Sequence, residues 1–446
     1  MQLDLGPIRP CRRDRAPERF IAARLSESPA GKPRLMESIC ERGNMQRALK
    51  RVLSNDGAPG IDKMTVQRMA RYFERKGDKI IDSLLEDRYR PSPVRRTEIP
   101  KDGGRGRRPL GIPIALDRLV GQATAQVLVC LWDHTFSEHS HGFRPKHSQH
   151  DALRRMKALV NAGYQYAISI DFEKFFDRVN HDRLMSILAK RIGDKRVLRL
   201  IRAFLNAGVM CDGVVIETKE GTPQGSPLSP VLSNIVLDEL DKELEKRGLH
   251  FVRYADDCMI FVRSRRAAER VKKSITRFIT RKLKLRVNEA KSRVAEAWYQ
   301  KYLGCSMTMR KGNSAIRIHS KSYTKFKDRV RELTGRKRGR SLAQVIGELN
   351  SYTRGWWNYF RIAETHSKLP ALQGWIFRRL RALVWHQWKN PKTRVRHLLG
   401  AGVWPKKAKT TGNARKKAWR MSRNDAVHYA LPNRHFIALG LVPLGT

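Results

Sequence analysis

Apolar side chains recur at helical spacing from Met36 to Val52, and the run ends at the sharp turn Asn55-Asp-Gly-Ala-Pro-Gly60. Residues 64–90 carry the same period and stop at Arg90-Pro-Ser-Pro93, where proline removes the amide a continuing helix needs. Between 94 and 305 the pattern changes. Ala167-Ile-Ser-Ile-Asp171, Phe251–Tyr254 and Met259–Val262 are short β-rich runs, while Leu184–Ala207 and Ala267–Leu283 have helical patterns. This predicts an α+β body in which helices cover an antiparallel sheet. Residues 341–390 read as helices again. The chain therefore divides into an arm over 1–35, an α+β body over 36–305 with an N-terminal extension at 36–93, a helical domain over 306–395 and a short tail over 396–446. The arm carries Pro and eight Arg or Lys without apolar periodicity. Residues 405–423, basic with Gly and Ala, are expected to be partly disordered.

Charge changes this picture. The 446 residues include 91 Lys or Arg against 42 Asp or Glu, a formal charge of +49. A body this cationic implies a polyanionic partner, and nucleic acid is the default. Residues 307–446 hold 31 Lys or Arg against 5 Asp or Glu, and seven of the nine Trp, so phosphate contact plus base stacking is expected there. For most of these Trp, the competing reading is the core of a helix bundle. No apolar run is long enough for a membrane span, and the N-terminus lacks a secretory pattern, so no membrane partner is expected. The six cysteines contain no C-x-x-C pair, which argues against a disulfide scaffold or a cysteine zinc site. A reducing, cytoplasmic setting with nucleoid association follows.

Against this positive background the acidic residues stand out. Arg253-Tyr-Ala-Asp-Asp-Cys258 places Asp256 and Asp257 between two β runs, as at a hairpin turn. Adjacent carboxylates repel, and a bound cation removes that cost. Asp171 ends another β run and leads into Phe172-Glu-Lys-Phe-Phe-Asp177. Three carboxylates on neighbouring strand ends form a hard oxygen site suited to two Mg2+ ions, which can activate a 3′-hydroxyl and stabilise a leaving pyrophosphate. His139 and His141 flank Ser140, with no third ligand evident, so a structural use is expected for them.

Tyr254-Ala-Asp-Asp257 resembles the catalytic box of reverse transcriptases, and its companions follow in that family's order over roughly 36–390. They are Glu98-Ile-Pro-Lys-Asp-Gly-Gly-Arg-Gly-Arg-Arg-Pro-Leu-Gly-Ile-Pro113, Phe136-Ser-Glu-His-Ser-His-Gly-Phe-Arg-Pro145, the Asp171 segment, Gly221-Thr-Pro-Gln-Gly-Ser-Pro-Leu-Ser-Pro230, Asn288-Glu-Ala-Lys291 and Tyr302-Leu-Gly304. Arg354-Gly-Trp-Trp-Asn-Tyr-Phe360 resembles the maturase, or thumb, signature of group II intron-encoded proteins. The chain is thus similar to a bacterial group II intron reverse transcriptase/maturase, and its compact tail resembles the group IIC lineage.

This resemblance implies a right-hand polymerase, fingers and palm followed by a helical thumb. It assigns Asp171, Asp256 and Asp257 as catalytic magnesium ligands, with Ile170 and Ala255 able to lend backbone carbonyls. Lys101 and Arg108 would hold the dNTP triphosphate, with Arg105 or Arg107 as alternatives to Lys101. Phe176 stands at the steric gate, while at least one of Phe172, Phe175 and Phe176 is core. Gln224 would orient the incoming nucleotide, and Lys291 would protonate or neutralise the leaving group. Arg144, Arg354 and Trp356 are the implied nucleic-acid contacts. The implied partners are group II intron RNA, an RNA template with a DNA primer, dNTPs and target DNA. The implied function is RNA-directed DNA synthesis with splicing assistance and retrohoming. The alternatives are a domesticated enzyme of repair or defence, or a splicing maturase whose polymerase has lapsed. No cysteine follows Cys305, so no His-Asn-His nuclease is expected in the tail.

Overall fold

The computed structural model describes residues 34–100, 107–211, 214–216, 220–221, 225–310 and 313–445. Apart from its last residues, the expected arm lies outside them. The chain divides into two compact units, one ending at Glu296 and one beginning at Ala297. The first is α+β. Strands β1 (Val94–Pro100) and β2 (Arg107–Ile112) pair antiparallel. The next strands are β3 (Tyr166–Ile170), β4 (Val209–Cys211), β5 (Val214–Ile216), β6 (His250–Tyr254), β7 (Asp257–Val262) and β8 (Arg293–Glu296). Two four-stranded sheets result, one in the order β2-β1-β4-β5 and one in the order β6-β7-β3-β8. The second is antiparallel throughout and carries the expected β runs. Its strands present Ile168, Ile170, Phe251, Cys258 and Ile260 to one core, shared with the helices Ala115–Trp132 and Ser229–Lys246. Alternation places these side chains on the covered face and leaves the strand ends open.

The helices follow the sequence pattern, but two of the expected runs are broken. The run from Met36 to Val52 becomes two helices, Leu35–Cys40 and Arg42–Asn55, with Glu41 between them in an extended conformation. The run from Leu184 to Ala207 splits into His181–Ala189 and Lys195–Asn206. Asp194 explains the split. Its carboxylate accepts from the amide of Arg196 at 3.0 Å, opening the second helix, and from the amide of Met36 at 3.2 Å. Burial works against the charge on Asp194, but the bonds from Arg196 and Met36 outweigh it and hold the carboxyl below its ordinary range.

The second unit opens with the antiparallel hairpin of β9 (Cys305–Arg310) and β10 (Asn313–Ile318). The long helices Ser320–Leu333, Leu342–Phe360 and Leu369–Gln387 follow. Trp356 packs among Phe326, Phe360 and Tyr323, with ring centres 4.5, 4.9 and 6.2 Å away. The expectation of a separate, partly disordered tail is corrected here. Residues 391–438 form five short helices, from Pro391–Gly400 to Asn433–Ala438. Leu398, Met421, Val427 and Phe436 are buried, and Arg381 donates to the carbonyl of Leu431 at 2.9 Å. Scattered apolar anchors in a basic sequence suffice to bind these short helices to the same unit, a pattern that charge counting hides.

Candidate active site

Register brings the three aspartates to one end of a sheet. Ile170 of β3 faces Cys258 of β7, so Asp171, the next residue, comes beside Asp257. Tyr254 of β6 faces Asp257, which leaves Ala255 and Asp256 as a two-residue turn. Ala255 takes a left-handed φ of 56°, which a two-residue hairpin turn requires. Asp171 and Asp256 are half-buried and Asp257 is exposed. Among the described residues, no three His, Cys, Asp or Glu side chains are already gathered tightly enough to hold a metal ion. The donor chemistry nonetheless fits magnesium, since the groups at this edge are carboxylate oxygens open to solvent and no sulfur ligand competes.

The backbone of Asp171 is held from outside the sheet. Its amide donates to Ser292 Oγ at 2.9 Å, and its carbonyl accepts from the amide of Asn288 at 2.8 Å. Asn288 also accepts from the amide of Lys291 through its side chain, closing the turn of Asn288-Glu-Ala-Lys291. That turn sets the Lys291 ammonium 3.8 Å from the Asp171 carboxylate, with the Lys291 side chain 68% exposed. An ion pair so open adds little stability.

The turn of the aspartate pair rests on a group that motif reading passed over. Arg253 is wholly buried, and its guanidinium forks onto the carboxylate of Asp241 at 2.8 and 2.5 Å. It also donates to Asn234 Oδ1 at 3.0 Å and to the carbonyl of Ala255, inside the turn, at 2.9 Å. The Ala255 carbonyl, expected as a possible metal ligand, is thus engaged by Arg253. Burial opposes the charge on Arg253, but Asp241 outweighs it and raises the pKa. The available signal was Asp241 itself, a carboxylate between Leu237 and Leu244 on the buried stripe of the helix Ser229–Lys246. On the other side of β6, the amide of Arg253 donates to the His139 carbonyl, and its carbonyl accepts from the amide of His141. This leaves no room beneath the turn: a Cβ at Gly142 would lie 2.1 Å from the amide nitrogen of Ala255. Burial, with His147 next in effect, lowers the pKa of His141 to about 4, so its ring is neutral near pH 7.

Arg144, expected as a nucleic-acid contact, is held by its own loop. Its side chain is 6% exposed, and its guanidinium donates to Asp133 and to the carbonyls of Ser137 and Ser140. It is a strut of the loop that supports Gly142. Trp356, another expected contact, is 8% exposed in the aromatic core of the second unit, whereas Arg354 is exposed. Phe172 and Phe175 are buried at 7% and 3%, while Phe176 stays half-buried, its ring edge-on to Phe175. Lys101 and Gln224 lie outside the described residues. Arg108 falls on β2 opposite Ile99. Both ends of the Gly221–Gly225 loop are fixed: a Cβ on Gly221 would meet the Asp177 backbone at 2.9 Å, and one on Gly225 would meet the Gly111 carbonyl at 2.7 Å. The loop thus begins beside the Phe176 segment and ends on β2.

Comparison with known proteins gives this geometry its setting. Residues 99–307 match the family described as reverse transcriptase (RNA-dependent DNA polymerase), and residues 323–401 match the group II intron, maturase-specific domain. The chain is 31% identical to Protein YkfC of Escherichia coli over 301 residues, 58% of this chain and 79% of that one. It is 38% identical to the group II intron-encoded protein LtrA of Lactococcus lactis over 182 residues, 41% of this chain and 30% of that one. It is 40% identical to an uncharacterised 91 kDa protein in the cob intron of Schizosaccharomyces pombe, over 39% of this chain and 21% of the other. The match thus spans less than a third of the two intron-encoded relatives. No helix among the described residues is long and apolar enough to cross a membrane.

Proposed function

Since the chain belongs to the group II intron reverse transcriptase/maturase family, we propose that its first unit extends a DNA primer on an RNA template at Asp171, Asp256 and Asp257. The observation that carries this reading is the register of β3, β6 and β7, which puts all three carboxylates at one open sheet end. These three side chains would hold two magnesium ions, which when bound lower the pKa of the primer 3′-hydroxyl and offset charge on the departing pyrophosphate. The chain's own groups do the rest. Lys291, 3.8 Å from the Asp171 carboxylate, would protonate or neutralise the leaving group. Arg108, with Lys101, Arg105 or Arg107, would grip the triphosphate, and Gln224 would orient the incoming nucleotide. Primer extension by the purified chain on an RNA template, with dNTPs and magnesium, tests the reading; a chain that extends nothing contradicts it.

Phe176 is proposed as the sugar gate, because of the three rings in its segment it alone is not buried. Phe176→Ala is expected to raise incorporation of a ribonucleotide relative to its deoxy counterpart by about tenfold or more, the scale of one pocket contact. An unchanged ratio assigns the gate elsewhere.

The basic arm, the helices over 36–90 and the cationic C-terminal part are together proposed to bind intron RNA and favour its splicing-competent form. Affinity is expected to fall steeply with salt as counterions are released from several phosphates. Asp256→Asn, which alters only the polymerase edge, should still promote splicing of the intron at near-physiological magnesium. Joint loss of splicing and RNA affinity in that variant would show that the two functions are not separable. Use in retrohoming, with target DNA as a further partner, belongs to the same proposal.

A further inference from the structure

Within the helical unit, a cavity of about 330 Å3 lies among the helices Ser320–Leu333, Leu369–Gln387 and Ala418–Met421. Trp375 and Trp419 line it together with Arg331, Thr334, Arg336 and Arg379. Among the described residues no carboxylate lines it: Asp328 engages Arg331 on the exposed surface at 2.5 Å, and Glu332 turns to Arg329 at 2.6 Å. Arg379 is fixed in place, since its Nε donates to Thr334 Oγ1 at 2.8 Å and its Nη2 to the Arg331 carbonyl at 3.1 Å. Its guanidinium lies 5.8 Å from the Trp375 ring centre and 5.9 Å from that of Trp419. The Trp419 indole is held by Arg378, which stacks 3.7 Å from its centre and donates to its carbonyl at 3.1 Å. Burial, then Arg336 and Arg331, lower the pKa of Arg379, as expected where cations gather without an acid. A neighbouring cavity of about 370 Å3 shares Arg336 and Trp419 and adds Arg394, Arg415, Lys416 and Lys417, so the cationic lining continues past the first.

Two indoles among pre-positioned guanidiniums suit a ligand with both an aromatic face and an anion. Inorganic phosphate has no use for the rings, and an apolar ligand would leave Arg336 and Arg379 facing no anion. The volume is at the lower end of the range of small-molecule sites, near one nucleotide. We infer that this cavity takes a single unstacked ribonucleotide of the RNA partner, its base against Trp375 and Trp419 and its phosphate on Arg336 and Arg379. The inference rests on the reading that the partner is RNA, whose bulges and loops present splayed bases of this kind.

The test uses the full chain and a stem–loop RNA with one bulged 2-aminopurine, beside the same stem fully paired and free adenosine 5′-monophosphate. Wild-type protein is expected to quench the bulged base and to bind that RNA more tightly than the paired stem. Trp375→Leu is expected to remove most of the quenching and to weaken the bulged RNA about tenfold. Arg336→Gln, at an exposed position where folding is not at risk, is expected to weaken it by a similar factor. Unchanged quenching and affinity in Arg336→Gln would overturn the inference. So would equal losses for the bulged and paired stems, which mean a diffuse basic surface, or saturation by the free nucleotide at the same concentration as the RNA. Primer extension by the wild-type protein is read separately. Extension without bulge-specific quenching sinks this inference alone, and quenching without extension sinks the polymerase reading alone.

Discussion

Arg253→Met is expected to destabilise the first unit by about 3–5 kcal/mol and to abolish primer extension with it. Asp241 is completely buried and has Arg253 as its ion-pair partner, so the variant leaves a charge in the interior with no counter-charge. It also strands Asn234 Oδ1 and frees the Ala255 carbonyl, both of which the guanidinium holds. The turn that aims Asp256 then loses its brace on the inner side. Arg253→Lys does not rescue it, because an ammonium cannot fork onto Asp241 while reaching Asn234 and Ala255. Arg253→Met combined with Asp241→Leu is expected to recover much of the stability, since paired removal leaves no buried charge. The double variant still lacks the bond to the Ala255 carbonyl, so its activity stays low. Urea unfolding of the four proteins, with primer extension on each, checks this. Single variants that unfold like wild type would show that the pair braces nothing.

The candidate site was legible in the sequence because its signals are local. A carboxylate pair between β runs and a third carboxylate ending a β run are short-range patterns, while the β3–β7 register that carries Asp171 to Asp257 is long-range. What holds them was not legible. Arg253 and Asp241 are twelve residues apart on a strand and a helix, and either reads alone as a solvated charge. The same ambiguity misplaced Arg144, whose partners are mostly backbone carbonyls that leave no trace in composition. Trp356 differs: the resemblance drew it toward nucleic acid, although its aromatic partners Phe326 and Phe360 recur on the apolar stripes of two helices. The sheet formed by β1, β2, β4 and β5 was hidden because β1 and β2 are rich in charge and β4 and β5 have three residues each, with β1 meeting β4 only at Val94–Val209 and Arg95–Met210. The tail's helices were hidden by charge, since each buries only one or two side chains.

Replacing Asp256 by Asn makes the central claim directly measurable. The substitution keeps the shape of the side chain and removes one of three carboxylate charges at the sheet end. Asp256 is half-buried in a two-residue turn whose brace runs through Arg253 and Ala255, so the turn keeps its main support in the variant. Holding a divalent cation needs the lost charge, and the rate should fall by roughly three orders of magnitude or more, on the scale of several kcal/mol of transition-state charge stabilisation. The decisive measurement is the single-turnover rate of primer extension on an RNA template with dNTPs and magnesium, for wild type and Asp256→Asn, beside their unfolding curves. The account predicts extension by wild type, loss of at least that size in the variant, and superimposable unfolding. An Asp256→Asn protein that folds and extends the primer at the wild-type rate would contradict it.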